Sequence, residues 1–185
     1  MALTKLNARS ATALDATILT GNIPALNGSA ITTINASNIS SGTLSAARYS
    51  GGKILQIQHM STTTEVYYNT NNNAVETGVT DLITPSATSS KILILATIQF
   101  TNSSTSDAIT WYPYRDSVSL GEQQDVRAQG VTFVSCYSYA YTDSPSSTSE
   151  LEYHFKFRRT GGSGGIHAQT SGTSTSSMTL LEIGA

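Results

Sequence analysis

Between Leu151 and Arg158 the side chains change character at every step: Leu151, Tyr153, Phe155 and Phe157 on one parity, Glu152, His154, Lys156 and Arg158 on the other. Successive side chains of an extended strand point to opposite faces, so a period of two describes a half-buried strand and no helix. The same period governs Lys91 to Thr101. There Ile92, Ile94, Ala96, Ile98 and Phe100 share one face, while the other begins apolar at Leu93 and Leu95 and turns polar at Thr97 and Gln99. In residues 131–141 it gathers Val131, Phe133, Tyr137, Tyr139 and Tyr141. Shorter stretches at 54–59, 65–68, 81–83, 110–114, 165–169 and 178–183 read as further strands, separated by turn-rich segments at 69–73, 85–90, 143–149 and 161–165. No segment has a convincing helical period. An all-β fold follows, with residues 53–185 forming an antiparallel β-sandwich head of jelly-roll type.

Residues 1–52 differ in kind. Nearly all aromatic side chains lie after Gly51-Gly52, and before them runs an eight-residue repeat. In register it reads Asn22 to Ser29, Ala30 to Ser37 and Asn38 to Ser45, with Ile23, Ile31 and Ile39 at one position, Leu26 and Ile34 at another, and Leu44 displaced in the last copy. Each octad offers about two large apolar side chains, worth roughly 1.5–3 kcal/mol apiece if fully buried. Ordering its backbone costs about 1–2 kcal/mol per residue. One copy cannot form a core, so the repeats need neighbours, and these must come from sister chains. The reading is an extended trimeric arm with Ile23, Leu26, Ile31, Ile34, Ile39 and Leu44 along the axis. A flexible linker is the alternative, against which the regular β-branched Ile argues. Ahead of the repeats, residues 4–16 are Ala-rich enough for a short helix, suited to an attachment peptide.

Charge narrows the function. Charged residues are 12% of 185 and the formal net charge is −2, which gives no electrostatic case for nucleic acid or an anionic membrane surface. Ser and Thr exceed a quarter of the chain, so its polarity is hydroxyl and amide. No run of about 18 apolar residues suggests membrane insertion, and the first ten residues lack the apolar stretch of a signal peptide. Cys136 is the single cysteine, which leaves no intrachain disulfide.

Chemistry-bearing groups are sparse. His59, His154 and His167 form no metal-ligand spacing, and His154 falls on the outer face of its strand as a solvated side chain. Cys136 reads as a buried inert thiol, because no activating base stands near it in sequence. Gly161-Gly-Ser-Gly-Gly165 lacks the Lys and the following helix of a phosphate loop and reads as a mobile hairpin tip. Asp107, Asp116, Asp125 and Asp143 lie in predicted loops. No cofactor, no metal and no catalytic group is expected. The cluster of greatest interest is Trp111-Tyr112-Pro113-Tyr114-Arg115, since rigid amphipathic aromatics favour contact surfaces and stack on sugar rings. Trp111, Tyr112, Tyr114 and Arg115 are therefore candidate receptor or subunit contacts, with packing in the sandwich core as the competing reading.

Several segments taken together carry a resemblance: Gly52 to Gln58, Ile83 to Ile94, Tyr114-Arg-Asp116, Tyr141 to Pro145 and Met178 to Ala185, preceded by Asn38 to Tyr49. This order resembles a domain recurrent in tail fibres and other virion structural proteins of bacteriophages, cyanophages among them, and the last segment is similar to the fibre repeats that lead into it. The resemblance spans roughly residues 20–185. It implies a trimeric virion appendage with a β-structured head on a shaft, made in the host cytoplasm and held to other virion proteins through the arm. It offers no catalytic residue. The chain is short for a long tail fibre, with few repeats.

Three functional readings follow. The first is a short homotrimeric fibre on tail, baseplate or neck, whose head binds host-surface polysaccharide or protein. The second is a capsid decoration protein that cements the phage head. The third, of another class, is a polysaccharide depolymerase, which needs two carboxylates facing across a cleft.

Overall fold

The computed structural model describes residues 52–70, 73–121, 124–127 (as backbone), 133–170 and 174–184, all within the unit Ser50–Ala185. The expected axis residues Ile23, Leu26, Ile31, Ile34, Ile39 and Leu44 lie outside them, as does Val131.

Among the described residues every regular element is a strand: β1 (Ile54–Thr62), β2 (Val66–Tyr68), β3 (Val75–Ile83), β4 (Lys91–Asn102), β5 (Ala108–Arg115), β6 (Val118–Ser119), β7 (Gln124–Arg127), β8 (Val134–Asp143), β9 (Leu151–Gly161), β10 (Ile166–Ala168) and β11 (Ser176–Ile183). All pairings are antiparallel. In the first sheet β1 pairs β11, β11 pairs β4, and β8 lies on the far side of β4; β10 and β2 continue beside the end of β4. The second sheet runs β3-β9-β5, with β7 and β6 sharing the far side of β5.

The period of two decides what lies between the sheets. From the first sheet come Ile92, Ile94, Ile98 and Phe100 of β4 with Met178 and Leu180 of β11; from the second come Ile109 and Trp111 of β5 with Tyr153, Phe155 and Phe157 of β9. Aromatic rings join the two sheets. Phe100 meets Phe157 at a centroid distance of 5.6 Å and Trp111 at 6.4 Å, while Tyr139 approaches Phe155 and Trp111 edge-on at 5.4 and 5.8 Å. Such offset and edge-on pairs add about 0.5–1.5 kcal/mol each to the burial of the rings.

Most strands fall where alternation places them. The exception is β3, which starts at Val75, well before the predicted 81–83. A bulge between Glu76 and Thr80, with Gly78 at φ 80°, breaks the alternation that would reveal it. β6 and β7 are too short to read from sequence.

Three sequence expectations are corrected. His154 is 5% exposed, not solvated, because Tyr114 of the neighbouring strand stacks over its ring at 5.4 Å. Cys136 is exposed: Tyr137 and Tyr139 take the inward parity of β8 and leave the thiol on the outer face. The Gly161–Gly165 segment is no free tip. Gly164 N–H donates to Asp107 Oδ1 at 2.9 Å, Gly165 N–H to Ser103 Oγ at 2.7 Å, and Ser103 N–H to Gly165 O at 2.9 Å. Asp107, fully buried, also accepts Ser104 N–H at 3.0 Å. The glycines are there for close approach: a Cβ on Gly162, whose φ is +75°, would stand 2.7 Å from Asp107 Cα.

A second buried carboxylate closes the other end. Glu182 is 1% exposed and accepts four hydrogen bonds: Ser86 N–H and hydroxyl at 2.7 and 2.6 Å, Ser90 hydroxyl at 2.6 Å and Gln56 Nε2 at 2.7 Å. Burial acts to raise its pKa, but the donors of Ser86, Ser90 and Gln56 outweigh that and hold it at about 2.

Two outcomes test this account. The folded carboxyl titrates below its ordinary value, so the unfolded chain takes up a proton first. The stability from Glu182 is complete above about pH 5, falls as pH drops toward 2, and amounts to about 3 kcal/mol. Denaturant midpoints of the full chain between pH 2 and 7 follow that limb, and Glu182→Gln flattens it. Gly162→Ala costs at least about 2 kcal/mol in the same measurement at pH 7.

Candidate functional site

The Trp111–Arg115 cluster sits on β5, in the middle of the second sheet, and strand geometry splits it in two. Odd positions face the core. Trp111 is 1% exposed among Phe100, Tyr139 and Phe155. Its candidacy as a receptor contact is corrected, because a ring enclosed between two sheets presents no surface. Arg115 also turns toward the interior, at one end of the sandwich. Its Nη1 donates to Asp143 Oδ2 at 2.6 Å, and Tyr153 hydroxyl donates to the same oxygen at 2.8 Å. Burial acts to lower the Arg115 pKa, but its hydrogen bond and charge pairing with Asp143 prevail and raise it. Burial foremost, then the Asp143 hydrogen bond, pushes the Tyr153 phenol far above its ordinary range. This triad locks the ends of β5, β8 and β9 together.

Even positions face outward. Tyr112 and Tyr114 are half-buried on the outer face, where the register of β5 on β9 sets Tyr112 beside Lys156 and Tyr114 beside His154. The side chains interleave as a ladder. Tyr114 stacks on His154, Lys156 Nζ lies 5.2 Å from the Tyr114 centroid, and the Arg158 guanidinium lies 5.7 Å from that of Tyr112. Glu76 on β3 anchors the far side, 2.8 Å from His154 Nδ1 and 3.1 Å from Lys156 Nζ. His154 Nε2 lies 2.8 Å from Asp116 O, so each ring nitrogen faces an acceptor.

The result is a rigid stripe in which two phenol rings alternate with two cations on the flat face of a central strand. Among the described residues neither the Tyr112 nor the Tyr114 hydroxyl bonds to another side chain or backbone group, which leaves both for an outside partner. Rings with a fixed orientation and free hydroxyls suit stacking and hydrogen bonding to a sugar, and the flanking Lys156 and Arg158 suit an anionic one. Sequence reading found Tyr112 and Tyr114 and missed their partners. Lys156, Arg158 and His154 show only as the polar parity of β9, and the pairing register alone brings them to β5.

No protein-family model matches the chain, and no curated protein matches it in sequence. Among solved structures it is similar to dimeric latent PorU from Porphyromonas gingivalis, with TM-score 0.38 and 7% identity over 73% of this chain and 14% of that one. It is also similar to a chain of infectious bursal disease virus Gx strain, with TM-score 0.37 and 10% identity over 70% of this chain and 40% of that one. The VP2 subviral particle of infectious bursal disease virus gives TM-score 0.34 and 9% identity over the same shares, 70% and 40%. The chain thus spans less than half the length of each.

The split of the cluster has a direct test. Trp111→Ala costs about 3–5 kcal/mol through loss of burial and the cavity left behind, whereas Tyr112→Ala costs about 1 kcal/mol. Chemical denaturation of the two variants separates them, and equal losses refute the assignment of faces.

Proposed function

We propose that this chain is a structural protein of a bacteriophage particle, a short homotrimeric fibre whose arm attaches it to the virion and whose head recognises the host surface. The observation that carries the recognition is the Tyr112–Tyr114 stripe with Lys156 and Arg158 beside it, rigid, outward and not needed for the core. The order of the eight longer-range strands supports the appendage: β1-β11-β4-β8 faces β3-β9-β5-β7, the double Greek-key winding of a jelly roll. Repeats that cannot bury themselves precede that head, as in the virion proteins the sequence resembles. The partner on the host is an acidic polysaccharide. Single-site contacts of this kind are weak, and three heads on one shaft convert them into useful attachment.

The full chain, passed over immobilised neutral glucan and over uronate- or sulfate-bearing polysaccharide, is retained on the acidic matrices and released by salt. Tyr112→Ala with Tyr114→Ala lowers the affinity about 10-fold or more, equivalent to about 1.4 kcal/mol. Retention on none of the matrices overturns host recognition through this face. Quantitative mass spectrometry of purified particles tests the rest: tens of copies per particle or fewer fit the fibre, hundreds fit the decoration reading instead, and absence from the particle overturns both.

A further inference from the structure

The outer face of the first sheet is the opposite of the tyrosine stripe in character. Across the paired strands β1, β11 and β4, Ile54 lies beside Ile183, Ile57 beside Leu181 and Leu93, and Leu95 in the next outward row. Ile54 and Ile57 are each 57% exposed and Leu95 is 44% exposed. Single exposed apolar residues are ordinary, but a contiguous group of them marks a surface that is covered in use. The other sheet turns Glu76, Glu152, Lys156 and Arg158 outward, whereas here the formal charge among the outward residues of these three strands is Lys91, at one corner. The neighbouring edge is open as well. Among the described residues β1 pairs as a strand with β11 alone, and its nine residues contain no Pro, Lys, Arg, Asp or Glu. Natural edge strands ordinarily carry such residues to prevent pairing with another chain.

We infer that this apolar face, built on Ile54, Ile57, Leu93, Leu95, Leu181 and Ile183, is the head-to-head interface between copies of this chain. The inference deepens the trimer reading above and rests on it for the number of copies. Three observations select a sister copy as the occupant. Gly52, the first described residue, lies at this corner, packed so closely on Ile183 that a Cβ there would lie 2.9 Å from Cγ2. Copies tethered through their preceding residues therefore bring these patches together at high effective concentration. The patch is close to neutral, so identical copies meet there without desolvating the formal charges that the opposite face would bury. Beside Leu95 the surface also dips into a shallow depression lined by the small residues Thr97, Ser138, Ala140 and Thr179, with room for an apolar side chain of a neighbour.

Sedimentation of the full chain over a range of concentrations tests this, comparing the unaltered protein with Ile57→Lys/Leu95→Lys and with Val118→Lys, an exposed apolar position on the other sheet. The unaltered chain and Val118→Lys sediment as trimers. The double variant, which forces ammonium groups into an apolar interface, associates about 100-fold more weakly or not at all, with Trp111 fluorescence unchanged. A trimer that the double variant leaves intact overturns the inference and spares the trimer reading. A dimer that the double variant dissolves keeps the interface and overturns the trimer. A monomeric unaltered chain overturns both. Hydroxyl-radical footprinting of the unaltered protein gives an answer that does not depend on any variant folding: Ile57 and Leu95 become protected as concentration rises, and labelling that stays constant through assembly overturns the interface.

Discussion

The ring cluster between the sheets is what the rest of the head depends on. Phe100, Trp111, Tyr139, Phe155 and Phe157 come from four strands that are distant in sequence, and their mutual contacts fix the spacing and orientation of both sheets. Once Trp111 and Phe155 are held inward, the parity of β5 and β9 is set along their whole length. Tyr112, Tyr114, Lys156 and Arg158 then have nowhere to go but the outer face. The candidate recognition stripe is a consequence of the core, which is why it is rigid. Residues placed on a central strand are held more firmly than any loop would hold them.

Around that core, three carboxylates close the sandwich. Glu182 ties the 84–90 segment to β11, Asp107 ties the glycine-rich 161–165 segment to the start of β5, and Asp143 joins β8 to Arg115 and Tyr153. Glu182 accepts four hydrogen bonds, Asp143 three and Asp107 two, from backbone amides, hydroxyls, an amide side chain or a guanidinium. A chain with so few charges puts three of its carboxyl groups inside or nearly so, and each is satisfied there by hydrogen bonds. Loops that composition would class as loose are thereby fastened to the sheets.

The two outer faces of the head differ in chemistry. One carries phenol rings, cations and carboxylates that engage each other and leave hydroxyls free; the other carries isoleucine, leucine and hydroxyl side chains with almost no charge. The proposed polysaccharide contact and the proposed contact with a sister subunit call for these opposite chemistries. Under the proposed trimer, their placement on opposite sides of one sandwich would let the heads join by one side and present the other outward.

The all-β class, the positions of most strands and the inward sets on β4 and β9 were legible in the residues alone, because a strand repeats every two residues and its burial is written in the order of side chains. That local code ends where a partner strand supplies the environment. Nothing near His154 in sequence announces that Tyr114 will cover it, the alternation of β3 is hidden by the Gly78 bulge, and the glycines at 161–165 look mobile until Asp107 is packed against them. The sequence favoured packing for Trp111, in the core or between subunits, but left a surface contact open. Only the register of β5 against β9, and of one sheet over the other, decided that the indole is enclosed while the flanking tyrosines face outward. Side-chain parity is a property of a single strand, but which parity faces the core, and what it meets there, depends on contacts between residues far apart in the chain.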